Sequence, residues 1–206
     1  MTKKAIIFDL DNTIYSAPSV GDELFASLLQ LIMESGEFNS SFDAIKTDIM
    51  RKPFQVVAAN HQFSDALTQK GIDFLKNLTY EGTIKPFDDY KEVSNLPVKK
   101  FLVTTGFVKL QQSKIRGMGI EQDFIEIHIV DLTTSDKTKK DVFADIIQRH
   151  DYHISDVLVI GDDLHSEIKA AQELGIDAIL YDKSDLNPDN LLLPKIADFK
   201  QLNDFI

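Results

Sequence analysis

The run Ala5-Ile6-Ile7-Phe8, followed at once by Asp9-Leu10-Asp11-Asn12-Thr13, constrains this chain more than any other segment. Consecutive apolar residues with no polar alternation suit a strand buried on both faces, and such strands belong to parallel sheets covered by helices. The paired aspartates then emerge at the C-terminal end of the strand, where open α/β sheets hold their ligands. Two carboxylates this close repel each other unless a cation or a proton intervenes, so the pair implies a metal, a raised pKa, or both. The plainer alternative is a polar loop that caps the following helix.

Further short apolar runs follow at Lys100 to Val103, Ile125 to Val130, Val157 to Ile160 and Asp177 to Tyr181. Helical patterns separate the later ones, over Val108 to Met118, Thr138 to His150 and Leu164 to Leu174. This alternation predicts an α/β fold, a doubly wound parallel sheet built from right-handed βαβ units. The stretch from Ile14 to Lys85 breaks the rhythm. It has no buried strand and carries amphipathic patches at Glu23 to Glu34, Phe42 to Met50 and Ser64 to Leu78, which reads as an inserted α-helical domain returning near Pro86. The expected division is a Rossmann-like core of residues 1–14 and 86–206 with a helical insertion of residues 15–85.

Composition narrows the function. A chain of 206 residues suits one domain with an insertion, and 43% hydrophobic residues suffice for a real core. A formal charge of −11 opposes non-specific binding to nucleic acid or to an anionic membrane. The absence of cysteine excludes a disulfide framework and thiol catalysis. Met1-Thr2-Lys3-Lys4 leads into only four apolar residues before Asp9, too short for a signal-peptide core or a membrane span, so a cytoplasmic protein is expected.

Three more segments carry candidate chemistry. Thr104-Thr105-Gly106 ends an apolar run with hydroxyls and a glycine, which suits a phosphoryl oxygen or, more plainly, a helix cap. Asp136-Lys137-Thr138-Lys139-Lys140-Asp141 opens a helix, and a lysine there can neutralise a carboxylate and a bound phosphate, although such runs commonly form a solvated helix face. Gly161-Asp162-Asp163 ends another apolar run and delivers acidic groups to the same sheet edge. Asp162 suits a metal and Asp163 suits the N-cap of the next helix.

Taken in order, Asp9-x-Asp11-x-Thr13, Thr104-Thr105-Gly106, Lys137 and Gly161-Asp162-Asp163 resemble the four motifs of the haloacid dehalogenase superfamily of phosphohydrolases. The resemblance covers essentially the whole chain, and the helical insertion is similar to the family's C1 type of cap. It implies a Mg²⁺-dependent phosphatase in which Asp9 is the nucleophile that forms an aspartyl-phosphate and Asp11 is the general acid and base. It further implies that Thr104, the Thr105 N–H and Lys137 hold phosphate, and that Asp9, the Asp11 backbone carbonyl and Asp162 hold the metal. Thr13, Asp163 and Glu167 are expected to support these groups from behind. Lys137 is preferred over Lys140 on register to Phe143, and Glu167 stands where the family commonly has an aspartate.

The implied partner is a small phosphomonoester, with a monomer or homodimer as the assembly and neither nucleic acid nor membrane bound. A phosphomutase using the same Asp9 chemistry, a receiver-like or otherwise non-catalytic phosphate-binding protein, and a dehalogenase are the alternatives. Asp11 weighs against the dehalogenase, whose resemblance fails at that position. In or near the insertion, Tyr15, Ser16, Arg51, Lys52, His61 and Gln62 are candidate substrate contacts.

Overall fold

The computed structural model describes residues 3–38, 41–187 and 192–206. Strand β1 (Ala5–Phe8) is followed by five helices: α1 (Pro18–Leu24), α2 (Ala26–Ser35), α3 (Phe42–Ile49), α4 (Phe54–Asn60) and α5 (Asp65–Asn77). A short helix α6 (Tyr90–Ser94) then leads to β2 (Lys99–Thr105), α7 (Val108–Met118), β3 (Glu126–Val130), α8 (Lys139–Arg149) and β4 (Val157–Gly161). A single π-helical turn (Leu164–Ile168) runs into α9 (Lys169–Leu174), and β5 (Asp177–Tyr181) and β6 (Lys195–Ile196) complete the sheet.

All paired strands are parallel, in the order β3-β2-β1-β4-β5-β6. The chain extends the sheet on one side of β1 through β2 and β3, then crosses back to place β4 on the other side. Order therefore reverses beside β1, and the crevice at such a switch point is where an α/β sheet binds its ligand. Both faces of β1 are buried. Ile6 and Phe8 join one apolar cluster with Leu102, Leu158 and Ile160, whereas Ala5 and Ile7 join another with Phe101, Val103, Val157 and Val159. That two-sided burial is why these strands read as unbroken apolar runs.

Helices α1 to α5 build an apolar cluster of their own around Leu28, Ile32, Ile45, Phe54, Val57 and Leu67. Phe107 and Leu110, at the start of α7, belong to the same cluster, so α7 is the surface on which the inserted helices pack. The Glu23 to Glu34 pattern resolves into two helices that meet at Phe25, and Phe54–Asn60 is a helix that the sequence patterning did not single out. Among the described residues, no helix is long and apolar enough to cross a membrane.

Candidate active site

The switch point beside β1 opens into a cavity of about 1050 Å³ between the sheet edge and the inserted helices. Asp9, Asp11, Thr104, Thr105, Lys139, Asp162 and Glu167 line its floor. Leu24, Phe25, Leu28, Met50, Phe54 and Val56 contribute apolar wall from the insertion. The first, second and fourth sequence segments therefore meet as their positions at strand ends require.

The lysine differs from the one expected. Lys137 is exposed, whereas Lys139 is buried and bridges Asp9 Oδ1 at 2.6 Å and Glu167 Oε2 at 2.7 Å. The reason is local. Thr138 caps α8 by accepting from the Asp141 N–H, while Asp141 accepts from the Thr138 N–H, so the helix begins at Lys139. Lys139, Phe143 and Ile146 then share one face at i, i+4 and i+7, and that face is buried. Lys140 lies off the stripe and pairs with Glu173 at 3.0 Å. The signal that identifies Lys139 is its spacing of four to Phe143; Lys137, six residues away, cannot share that face.

Asp9, Asp162 and Glu167 each offer a carboxylate oxygen, and the three oxygens lie within 4.8 Å of one another. Glu167 is thus part of the acidic cluster itself, brought inward by the π-helical turn, and its Oε1 accepts the Asp163 N–H at 2.7 Å. Asp163 caps that turn, its side chain accepting from the His165 N–H at 2.8 Å. Three carboxylates around one buried ammonium leave negative charge in excess. Burial and the neighbouring Asp9 and Glu167 charges push Asp162 up to about 9, and burial pushes Asp9 upward against the opposing pull of Lys139. Arg51, between α3 and α4, approaches Asp162 Oδ2 at 3.8 Å. An all-oxygen donor set with unbalanced negative charge fits a hard divalent cation.

Asp11 has a different environment. Its Oδ1 accepts from Lys114 at 2.8 Å and from the Tyr15 hydroxyl, and its Oδ2 accepts from Gln111 Nε2 at 2.8 Å. These donors outweigh burial and hold its carboxyl below the ordinary carboxylate range. Neighbouring carboxylates on one loop are thereby driven in opposite directions, Asp9 toward its protonated form by burial and Asp11 toward its ionised form by its donors. Lys114 and Gln111 went unmarked in the sequence, because nothing local distinguishes them from other polar residues of an amphipathic helix.

Thr104 is buried, and its Oγ1 accepts from Gln111 Nε2 at 2.7 Å. Thr105 borders Gly106, whose φ of 154° lies in the region that favours glycine and whose N–H reaches the Val130 carbonyl at 3.0 Å. Thr13 is fully buried beneath the loop. Of the candidate contacts from the insertion, Tyr15, Arg51 and Lys52 line the cavity, whereas Ser16, His61 and Gln62 do not. His61 instead meets Asp48 at 3.1 Å, and Lys52 pairs with Asp48 at 2.8 Å.

A family model described as haloacid dehalogenase-like hydrolase matches residues 3–175. A glyceraldehyde 3-phosphate phosphatase of Methanopyrus kandleri is 23% identical over 209 residues, covering 91% of this chain and 88% of that one. A ribulose-1,5-bisphosphate 5-phosphatase of Halopiger xanaduensis is 22% identical over 206 residues, covering 88% and 85%. Among solved structures, a haloacid dehalogenase-like family hydrolase of Streptococcus pneumoniae superimposes with a TM-score of 0.73 at 18% identity, covering 99% of both chains, a likeness of fold.

Proposed function

The chain belongs to the haloacid dehalogenase-like hydrolases, and on that premise we propose that it is a Mg²⁺-dependent phosphatase of small phosphomonoesters. The observation that carries this reading is the division of labour between Asp9 and Asp11. One sits against Lys139 in an acidic cluster suited to a cation, and the other is held two residues away by uncharged and cationic donors. Both related phosphatases are named for phosphorylated sugars, which supports a substrate of similar size.

In this mechanism the Asp9 carboxylate attacks phosphorus in line with the leaving oxygen. The bond from phosphorus to that oxygen breaks, and Asp11, which must enter this step protonated, delivers its proton to it and becomes the carboxylate that Lys114, Tyr15 and Gln111 stabilise. Water then attacks the aspartyl-phosphate, Asp11 takes its proton, and the bond between Asp9 and phosphorus breaks to release inorganic phosphate. Lys139 takes the part assigned to Lys137 on sequence, lowering the repulsion between Asp9 and the incoming phosphate. Thr104 and the Thr105 N–H hold phosphoryl oxygens. Asp9, Asp162 and the Asp11 carbonyl would hold Mg²⁺, with Glu167 beside it, and the ion would supply positive charge to the transferring group. Residues 15–85 act as a cap that closes the cavity over the leaving group and excludes water.

Phosphate release from a panel of phosphomonoesters, with Mg²⁺ and with chelator, tests the proposal beside Asp9→Asn. Mg²⁺-dependent release that disappears in the variant is the expected result. Release that survives in Asp9→Asn removes Asp9 as nucleophile, and no release from any ester with the native chain removes the phosphatase.

A further inference from the structure

We propose that Lys114 and Gln111, on α7, are positioning residues that aim the Asp11 carboxylate at the leaving oxygen; this deepens the phosphatase reading and rests on it. Both side chains are almost wholly withdrawn from solvent, at 5% and 1% exposure, yet both end on a carboxylate that faces the cavity. They are three residues apart and therefore share a face of the helix.

A buried ammonium needs a close anion, because taking its charge out of water is otherwise uncompensated. Among the described residues, Asp11 is the ion-pair partner of Lys114, at 2.8 Å. The same ammonium lies 6.0 Å from the centroid of the Tyr15 ring, whose hydroxyl donates to the same oxygen of Asp11. Oδ1 is thus fixed from two directions and Oδ2 from a third, so rotation of the carboxylate breaks at least one charge-assisted bond.

Gln111 adds a link to the phosphate side. Its Nε2 donates both to Asp11 Oδ2 at 2.8 Å and to Thr104 Oγ1 at 2.7 Å. The opposite amide orientation would place Oε1 against the Thr105 carbonyl oxygen, which Nε2 faces at 3.4 Å, so the donor orientation is the one the surroundings require. With Thr104 Oγ1 already accepting, the hydroxyl hydrogen remains available to a phosphoryl oxygen. One amide therefore sets the angle between the group that moves the proton and the group that holds the phosphate. Leu110, the residue before Gln111, packs in the apolar cluster of the inserted helices, which seats α7 between the insertion and Asp11.

The test compares kcat/KM, which reports formation of the aspartyl-phosphate, for an alkyl phosphate with a basic leaving group and for 4-nitrophenyl phosphate, whose leaving group scarcely needs a proton. Lys114→Met is expected to lower the alkyl-to-aryl ratio about 10-fold to 100-fold, and Lys114→Arg to restore part of it. Asp11→Asn is measured alongside. If Asp11→Asn changes the ratio and Lys114→Met leaves it unchanged or slows both esters equally, the positioning role is overturned while the phosphatase reading stands. If Asp11→Asn itself leaves the ratio unchanged, the role of Asp11 falls and the inference with it. Should Lys114→Met fail to fold by circular dichroism, Gln111→Leu decides by the same ratio.

Discussion

Lys139 and Asp9 meet at 2.6 Å although 130 positions separate them in the chain. One comes from the first turn of α8 and the other from the end of β1, and Glu167 completes the bridge at 2.7 Å. The ammonium bridges two buried carboxylates that would otherwise repel each other.

Replacing this lysine separates its role from that of the exposed lysine nearby. Lys139→Met is expected to lower kcat by about 100-fold or more, the scale lost with one oriented electrostatic group. Lys137→Met should remain within about 2-fold of the native rate, because its side chain is solvated. Steady-state phosphate release from the two variants checks both statements, and the reverse ranking would restore Lys137 to the site.

Asp162 is a half-buried carboxylate facing two others, so its charge opposes folding when nothing neutralises it. Asp162→Asn should raise the melting temperature in chelator while abolishing most of the rise that Mg²⁺ gives the native protein. Differential scanning calorimetry with and without the ion reads both effects. A variant with an undiminished Mg²⁺ response would place the ligand elsewhere.

Gly161, the last residue of β4, owes its identity to Glu167. A Cβ built there would stand 2.2 Å from Glu167 Cγ and 2.3 Å from its Oε1. Gly161→Ala should therefore displace Glu167 from Lys139, costing about 1 to 3 kcal/mol of stability and most of the activity. Urea denaturation and phosphate release measure the two losses.

Away from the cavity, Glu126 accepts two bonds from Arg149, at 2.7 and 3.0 Å, and further bonds from His150 and His128. The Arg149 guanidinium foremost, then the two imidazoles, hold its carboxyl well below the ordinary value of 4.5. A carboxylate depressed on folding stabilises above its unfolded pKa, and that contribution fades as pH falls toward the folded pKa. Glu126→Gln should cost about 1 kcal/mol near pH 7, and its gap from the native protein should narrow steadily below pH 4.5. Urea midpoints from pH 4.5 down to 3 check the sign; a gap that widens over that range would refute it.

By itself the sequence determined the elements and their chemistry-bearing ends. Ala5–Phe8, Asp177–Tyr181 and Val108–Met118 occupy the ranges their patterning predicts, because two-sided burial and helical periodicity are written locally in runs of side chains. Asp9, Asp11, Thr104 and Asp162 were legible for the same reason, since a polar residue closing a buried strand has one place to go in a parallel sheet. Local signals even held the answer for α8, where Thr138, Asp141 and the spacing from Lys139 to Phe143 mark the inward face. What only the tertiary structure decided is which groups meet. Lys114 and Gln111 lie 103 and 100 positions from Asp11, and no periodicity within α7 says that its buried polar face looks onto that carboxylate. Nor does the segment Leu164 to Leu174 announce the π-helical turn that carries Glu167 into the acidic cluster. Pairings of this kind follow from how helices settle on a sheet and on one another, and burial makes each buried charge find its partner only once that packing is complete.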